Sequence, residues 1–413
     1  MKIHKIYLFF VLLLNLPGFA QQQDSSLQKI APKIFVDCRW CDLDYIRKEI
    51  NFVNYVYDRK NADIHIMVTG QGTGSGGREY TMTYIGQNDF KSVNDTLAYT
   101  TLQDDTDDKR REKMVKYLKM GLIQYIAKTP IADDITVSYN KPGGAMVKED
   151  HWNNWVFSMR IRGWFNGEKS SQSTDVYGRI SANRITDDWK IRLNLNASYD
   201  ESKIKYEDTW YKTTQNRKSF YGLVVKSISG HWSFGGSTRA NADIYHNNKA
   251  SFSLYPAIEY NIFPYTESTR RELRFLYRLG GEYTYYNEQT IFGKTEEGFL
   301  KQTLEISLEF KQPWGEIETE IWSSTHLHDL NKNRFSIYSD LSIRLFKGFS
   351  VNLHGGFSWI RDQLFLRNEP LNKEDVLLGR YALQTDYDYW GSVGFEYSFG
   401  SIYNNIVNPR FGY

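Results

Sequence analysis

The chain has 413 residues, 51 Lys and Arg against 49 Asp and Glu, and a formal net charge of +2. This balance, without a basic run, gives no reason to expect a nucleic-acid partner. Mean hydropathy is −0.56. Beyond the N-terminus no segment approaches the roughly 20 apolar residues of a spanning helix, which excludes a helical membrane protein. A membrane β-barrel is not excluded, because half of each of its strands is polar. The aromatic content of 16% suits girdles at two membrane–water interfaces, and also a large secreted β-sandwich or propeller.

Lys2 and Lys5 precede an apolar run over residues 6–16, followed by Pro17-Gly18-Phe19-Ala20. This is the layout of a secretory leader cleaved after Ala20. The run is too short for a membrane anchor, and no Cys follows it to carry lipid. We therefore expect residues 1–20 to be removed on export, and 21–31 to form a linker.

Residues 32–130 read as a small α+β domain in the order βαβββα. Residues 33–37 form a short buried strand, and Asp42 or Asp44 caps a helix with Tyr45, Ile46, Ile50 and Val53 on its apolar face. Strands follow over 62–68, 78–86 and 95–102. A helix over 107–127 places Met114, Leu118, Leu122 and Ile126 at helical spacing. Ala62-Asp63, Tyr80 through Ile85, and Asp107-Asp108-Lys109-Arg110-Arg111 together resemble the N-terminal domain of TolB and related periplasmic modules. That resemblance implies a periplasmic protein-docking domain, not an enzyme, with a protein partner it does not name.

Three features of this domain invite sharper chemistry. Cys38 and Cys41, the two cysteines of the chain, could be a reactive dithiol at a helix N-terminus. The helix before the hairpin and the facing proline of a thioredoxin fold are missing, so a local disulfide in an oxidising compartment is expected. A zinc site would need two more ligands. The Gly-rich segment 70–77 lacks the Gly-Lys-Ser/Thr ending and the following helix of a phosphate loop, so it reads as a hairpin loop. Asp104, Asp105, Asp107 and Asp108 lack EF-hand spacing and suit a helix N-terminus.

After a linker at 131–149, broken by Pro142-Gly143-Gly144, residues 150–400 alternate apolar and polar with period two. Ile191, Leu193, Leu195, Ala197 and Tyr199 oppose Arg192, Asn194, Asn196 and Ser198. Twelve such strands centre near residues 160, 180, 194, 224, 237, 255, 277, 306, 320, 340, 355 and 394. Even-numbered connections read as compact turns. Odd-numbered ones read as longer polar loops: 166–174, 200–218, 287–301, 326–334 and 361–384, with 246–249 the short exception. Short turns on one side and long loops on the other describe a transmembrane β-barrel of about twelve antiparallel strands. An even count returns both chain ends to the periplasm.

The polar faces carry Arg160, Arg162, Arg179 and Arg192 early, then Glu272, Arg274, Arg278, Glu305, Glu309, Glu318, Glu320 and Arg344. We expect all of them to face the lumen. An arginine wall facing a glutamate wall would make a narrow pore with a transverse field. The same ions paired across the lumen would close it. The histidines do not converge: His354 is expected inward, His231 beside a turn, His246 in a short loop, and His326 and His328 beside Asp329. No catalytic residue, metal site or cofactor is assigned.

The closing strand ends Ser392-Val393-Gly394-Phe395-Glu396-Tyr397-Ser398-Phe399. Ser392, Gly394, Tyr397 and Phe399 resemble the last-strand signal read by the machinery that inserts outer-membrane barrels. Residues 401–413 would return to the periplasmic side, either plugging the barrel mouth, docking on the N-terminal domain, or ending loosely. The whole pattern resembles Gram-negative outer-membrane barrels bearing a TolB-like periplasmic module. This implies a porin-like channel or a membrane anchor in outer-membrane lipid. A phospholipase-type barrel enzyme and a barrel component of an envelope-assembly or secretion complex are the alternatives.

Overall fold

The computed structural model describes residues 30–74, 76–139, 150–370, 381–400, 403, 405, 407, 408 and 410. The expected leader, Pro142-Gly143-Gly144, Pro409 and Phe411 lie outside the described residues.

The N-terminal domain holds β1 (Lys33–Asp37), α1 (Leu43–Glu49), β2 (Asn54–Tyr55), β3 (Ile64–Gly72), β4 (Arg78–Gly86), β5 (Asn94–Thr101) and α2 (Asp107–Ile126). The five strands lie in the order β2-β1-β3-β4-β5. β1 runs parallel to β2 and β3, and the other pairs are antiparallel. The expected order lacked β2. At two residues it is too short to show a period, and only its pairing with Lys33 and Ile34 defines it. α1 starts where Asp42 accepts from the Tyr45 amide at 3.0 Å. Thr106 caps α2, and Asp107 and Asp108 pair with Arg110 and Arg111 one turn on.

Both helices bury their apolar stripes on this sheet: Ile34, Ile46, Ile66, Met82, Leu118 and Leu122 are all buried. Tyr84 lies fully inside and donates its hydroxyl to the Tyr117 carbonyl at 2.9 Å, while burial holds that hydroxyl well above the usual tyrosine range. α2 makes room for the ring with Gly121, where an added Cβ would lie 2.1 Å from Tyr84 Cζ. The domain extends past the expected boundary at 130: a 3-10 turn over Pro130–Asp134 puts Ile131 into the same core.

The second body is one sheet of twelve strands, each paired antiparallel with its neighbours in sequence. They are β6 (Trp155–Gly167), β7 (Ser171–Ile185), β8 (Trp189–Tyr206), β9 (Thr209–Ser227), β10 (Trp232–Asp243), β11 (Asn248–Asn261), β12 (Arg271–Tyr286), β13 (Glu296–Gln312), β14 (Gly315–His326), β15 (Asp329–Phe346), β16 (Phe349–Ile360) and β17 (Tyr387–Tyr397). The protein is thus mainly β, a twelve-stranded antiparallel sheet preceded by a small α+β domain. Among the described residues no ladder joins β17 back to β6.

Two expected loops are largely strand. Residues 200–218 are an extended β8–β9 hairpin closed by Glu207 and Asp208, both with positive φ (46° and 66°), as a tight two-residue turn requires. Residues 326–334 shrink to a turn at Leu327 and His328. Runs of polar residues in these hairpins hid the strand period. The long odd-numbered connections that remain are 287–295 and 361–386. β8 and β9, at 18 and 19 residues, are among the longest strands of the sheet.

Burial in this sheet is inverted relative to the N-terminal domain. Ser181, Asn194, Ser253, Thr303, Ser336 and Ser358 are buried, while Ile161 is 74%, Leu195 52% and Phe395 70% exposed. The pairing keeps the faces in step: Ser181, Asn194, Tyr221, Arg239 and Ser253 lie in one cross-strand row.

Candidate functional site

Each end of the sheet is occupied by other parts of the chain. At the end carrying the short turns, the N-terminal domain is seated. Asp37, the last residue of β1, accepts from both terminal nitrogens of Arg344 at 2.6 and 2.7 Å, and from the Nε2 side of buried His65 at 3.1 Å. Burial would push the Asp37 carboxyl up. The hydrogen bonds from His65 and Arg344 outweigh that and hold it below its ordinary value. The Arg344 guanidinium also stacks over Phe35, 5.6 Å from the ring centre, and Arg39 approaches Glu316 at 3.9 Å. Asp58 accepts the backbone N–H of Gly348, in the β15–β16 turn.

The described tail residues tie down the same domain. Asn405 accepts from the Tyr55 amide at 2.6 Å and donates to Asn54 at 3.0 Å. Tyr403 bridges to Val56. Of the three fates expected for the tail, these residues take the docking one. On the opposite side, the tip of the β3–β4 hairpin reaches the sheet at β7. A Cβ on Gly74 would lie 2.5 Å from that of Ile185, so only glycine fits this approach. Cys38 and Cys41 form a disulfide, closing the loop that carries Arg39 beside the seat.

At the loop end, the β16–β17 connection folds across to its neighbours. Asp362 is held by Arg334 at 2.9 Å and Lys301 at 3.5 Å. Asn247, between β10 and β11, donates to the carbonyls of Glu288 and Phe365 at 2.9 and 3.1 Å. The Ile291 amide bonds the Leu366 carbonyl at 2.8 Å, and Leu364 and Leu366 are buried.

Between these ends the charges separate by side. On β11–β14 the carboxylates dominate and their cations are matched. Arg274 bonds Glu272 at 2.9 Å, and Glu259 and Glu305 at 3.1 Å each. Arg278 joins Glu305 at 3.0 Å, and Lys311 lies within 3.2 Å of Glu309, Glu316 and Glu318. These three glutamates cluster closely enough to hold a cation, but the Lys311 ammonium already lies among them. Glu320 lines the same interior with Asp340 and His354. On β7–β10 the charge is basic: Arg179, Arg192, Arg217 and Arg239 line a cavity of about 680 Å³.

The structure therefore places most of the sequence-predicted charges on the polar face and changes the roles of three of them. Arg344 is the socket of the domain seat, not a wall of an open lumen. Arg274 and Arg278 belong to the acidic side and are paired within it, so the arginine wall is confined to β7–β10. Arg160 and Arg162 stand opposite Arg179 and Tyr177 on the outermost strand. Sequence reasoning missed Arg217, Arg239, Glu259 and Lys311. Arg217 lay in an expected loop, while the other three sit at polar positions of the period and could have been read from it. Ser392 and Gly394 pair with His354 and Asn352 on the polar side, and Tyr397 and Phe399 are exposed on the apolar one. Among the described residues, no serine hydroxyl is hydrogen-bonded to a histidine ring.

No protein-family model matches the chain, and no curated protein matches it. Among solved structures it is similar to the NanC porin, at 11% identity and a TM-score of 0.28, covering 58% of this chain and 99% of that one. It is also similar to the translocator domain of the autotransporter NalP from Neisseria meningitidis, at 10% identity and a TM-score of 0.20, covering 59% of this chain and 82% of that one. Likeness at this level carries no function across, so the reading below rests on this chain's own geometry.

Proposed function

We propose that the protein is an outer-membrane β-barrel stoppered by its own N-terminal domain: a narrow, gated channel with domain and tail on the periplasmic side. The inverted burial of the twelve-stranded sheet carries this reading. A water-soluble sheet has no use for an apolar outer face this extensive, whereas lipid demands one. Lipid also requires every backbone group to be paired, so β6 and β17 are expected to zip together there. The Asp37–Arg344 seat supports the stopper, and the β16–β17 connection supports a second constriction at the outer mouth.

The test is planar-bilayer conductance of the full chain beside an Asp37→Ala variant. The wild type should sit near baseline, and the variant should show open events. If neither conducts, the barrel is an anchor. Recovery of the wild type in the soluble fraction without detergent would remove the membrane reading altogether.

A protein-docking role keeps one specific support. The tail covers the β2 side of the small sheet, but β5 at the other edge pairs only with β4 among the described residues. An edge of this kind can accept a partner strand. Neither a lipid-modifying activity nor a role in secretion gains a comparable observation.

A further inference from the structure

We propose that the β7–β10 wall is a binding track for a small solute bearing a carboxylate or phosphate, completed at its turn end by the tip of the β3–β4 hairpin. The inference rests on the polar interior of the proposed barrel and adds its ligand class; it does not require that the barrel conduct.

The strand register supplies the geometry. Arg192 on β8 pairs with Asn183 and Leu223. In the next inward-facing row toward the loop end, Asn194 and Tyr221 precede Arg239 on β10. The row after that holds Arg179 opposite Asn196, and the fourth holds Arg217 opposite Asp243. Within β7–β10 each inward row thus contributes one arginine; successive rows lie roughly 7 Å apart along the strands and neighbouring strands ~5 Å apart, and successive arginines stand two or three strands from each other. All four line one cavity, so an anion placed there faces guanidinium groups from several rows.

These guanidinium groups are poorly neutralised. Arg217 bonds Asp243 at 3.2 Å, and Asp243 is shared with His246 at 2.7 Å. Among the described residues Arg179 bonds only the neutral side chain of Asn194, and Arg239 lies over the Tyr221 ring at 5.6 Å. Arg192 has no carboxylate partner among the described residues. Arg160 directly faces Arg179 across the β6–β7 ladder, an arrangement that costs stability unless an anion lies between the charges. The acidic side shows the contrast, since Arg274 there has three carboxylates.

Guanidinium forks match carboxylate and phosphate oxygens two at a time. A cavity of about 680 Å³ is in the range that encloses a small molecule. Thr73, Gly74 and Gly76 line the same cavity, so a bound solute would touch both the sheet and the seated domain.

The experiment is calorimetric titration of the detergent-solubilised full chain with succinate and, separately, inorganic phosphate at low salt. At least one should bind in the sub-millimolar range, and the one that binds names the headgroup. An Arg192→Gln/Arg239→Gln double variant should lose about tenfold or more in affinity, as expected for removing charge-assisted forks. Glu309→Gln on the opposite wall should leave binding within about twofold. If the double variant does not fold, Arg192→Lys keeps the charge but not the fork and should still weaken binding several-fold. Failure of both anions to bind the wild type, or equal binding by the Arg192 and Arg239 variants, overturns the inference. A silent bilayer alongside normal titrations would instead count against conduction alone.

Discussion

The N-terminal domain and the twelve-stranded sheet share one chain and one amino-acid vocabulary, yet they bury opposite halves of it. In the domain, Ile66 and Leu122 are sealed inside, and the buried Tyr84 hydroxyl donates to the Tyr117 carbonyl. In the sheet, Ser181 and Asn194 are inside while Ile161 and Phe395 face out. The domain is organised by water pressing apolar groups together. On the proposed membrane reading, the sheet is organised by a surrounding medium that excludes polar groups, leaving hydrogen bonds and ion pairs to fill the interior.

The sharpest way to break this comparison is a charge on the outer face. Leu195→Arg should destabilise the sheet by about 2–4 kcal/mol in lipid near the bilayer midplane. If the sheet is instead water-solvated, the cost at this half-exposed site should fall within about 0.5 kcal/mol. Urea titration in vesicles reads the difference.

In the domain, the matching test is crowding. Gly121→Ala should gain about 1 kcal/mol in helix propensity. The new methyl collides with the Tyr84 ring, so the net effect should be a loss of about 1–3 kcal/mol. A melting temperature equal to or above the wild type would show that Tyr84 is free to move aside.

The smallest effect is expected where the two regions meet. Asp37→Asn keeps the shape of the seat but removes its charge; the neutral amide oxygen retains part of the about 1.5–3 kcal/mol of a hydrogen bond to a charged group, so docking should weaken by about 1–2 kcal/mol. Acid should do the same to the wild type. The folded carboxyl sits below its ordinary value of 3.8, so its contribution is complete above that pH and is lost as pH falls through the lower folded value. Limited proteolysis of the domain–sheet junction against pH checks the sign: cleavage should rise on acidification in the wild type and be flat in Asp37→Asn.

Much of this fold was legible because period-two alternation survives wherever apolar and polar residues strictly take turns. All twelve strands fall where that pattern places them. It failed at 200–218 and 326–334, where polar residues fall on both faces and the alternation disappears, although the backbone ladder continues. It failed again at β2, whose two residues are held by pairing with β1 and by Asn405 from the far end of the chain. The local disulfide of Cys38 and Cys41 could be expected from the missing thioredoxin features and an oxidising compartment, but not its place beside Arg39 and the seat.

Local chemistry along the chain was enough to determine which residues would form strands, which face of each would be polar, and that a compact α+β unit would precede them. Each of those outcomes depends on neighbours a few positions away. The partners of Arg344, Arg274 and Arg192 were decided only in three dimensions. One is seated on Asp37, one is neutralised by three glutamates, and one has no carboxylate partner among the described residues. A charge's role depends on what the register and the docked domain bring within a few ångströms of it, and residues from distant parts of the chain supply those partners.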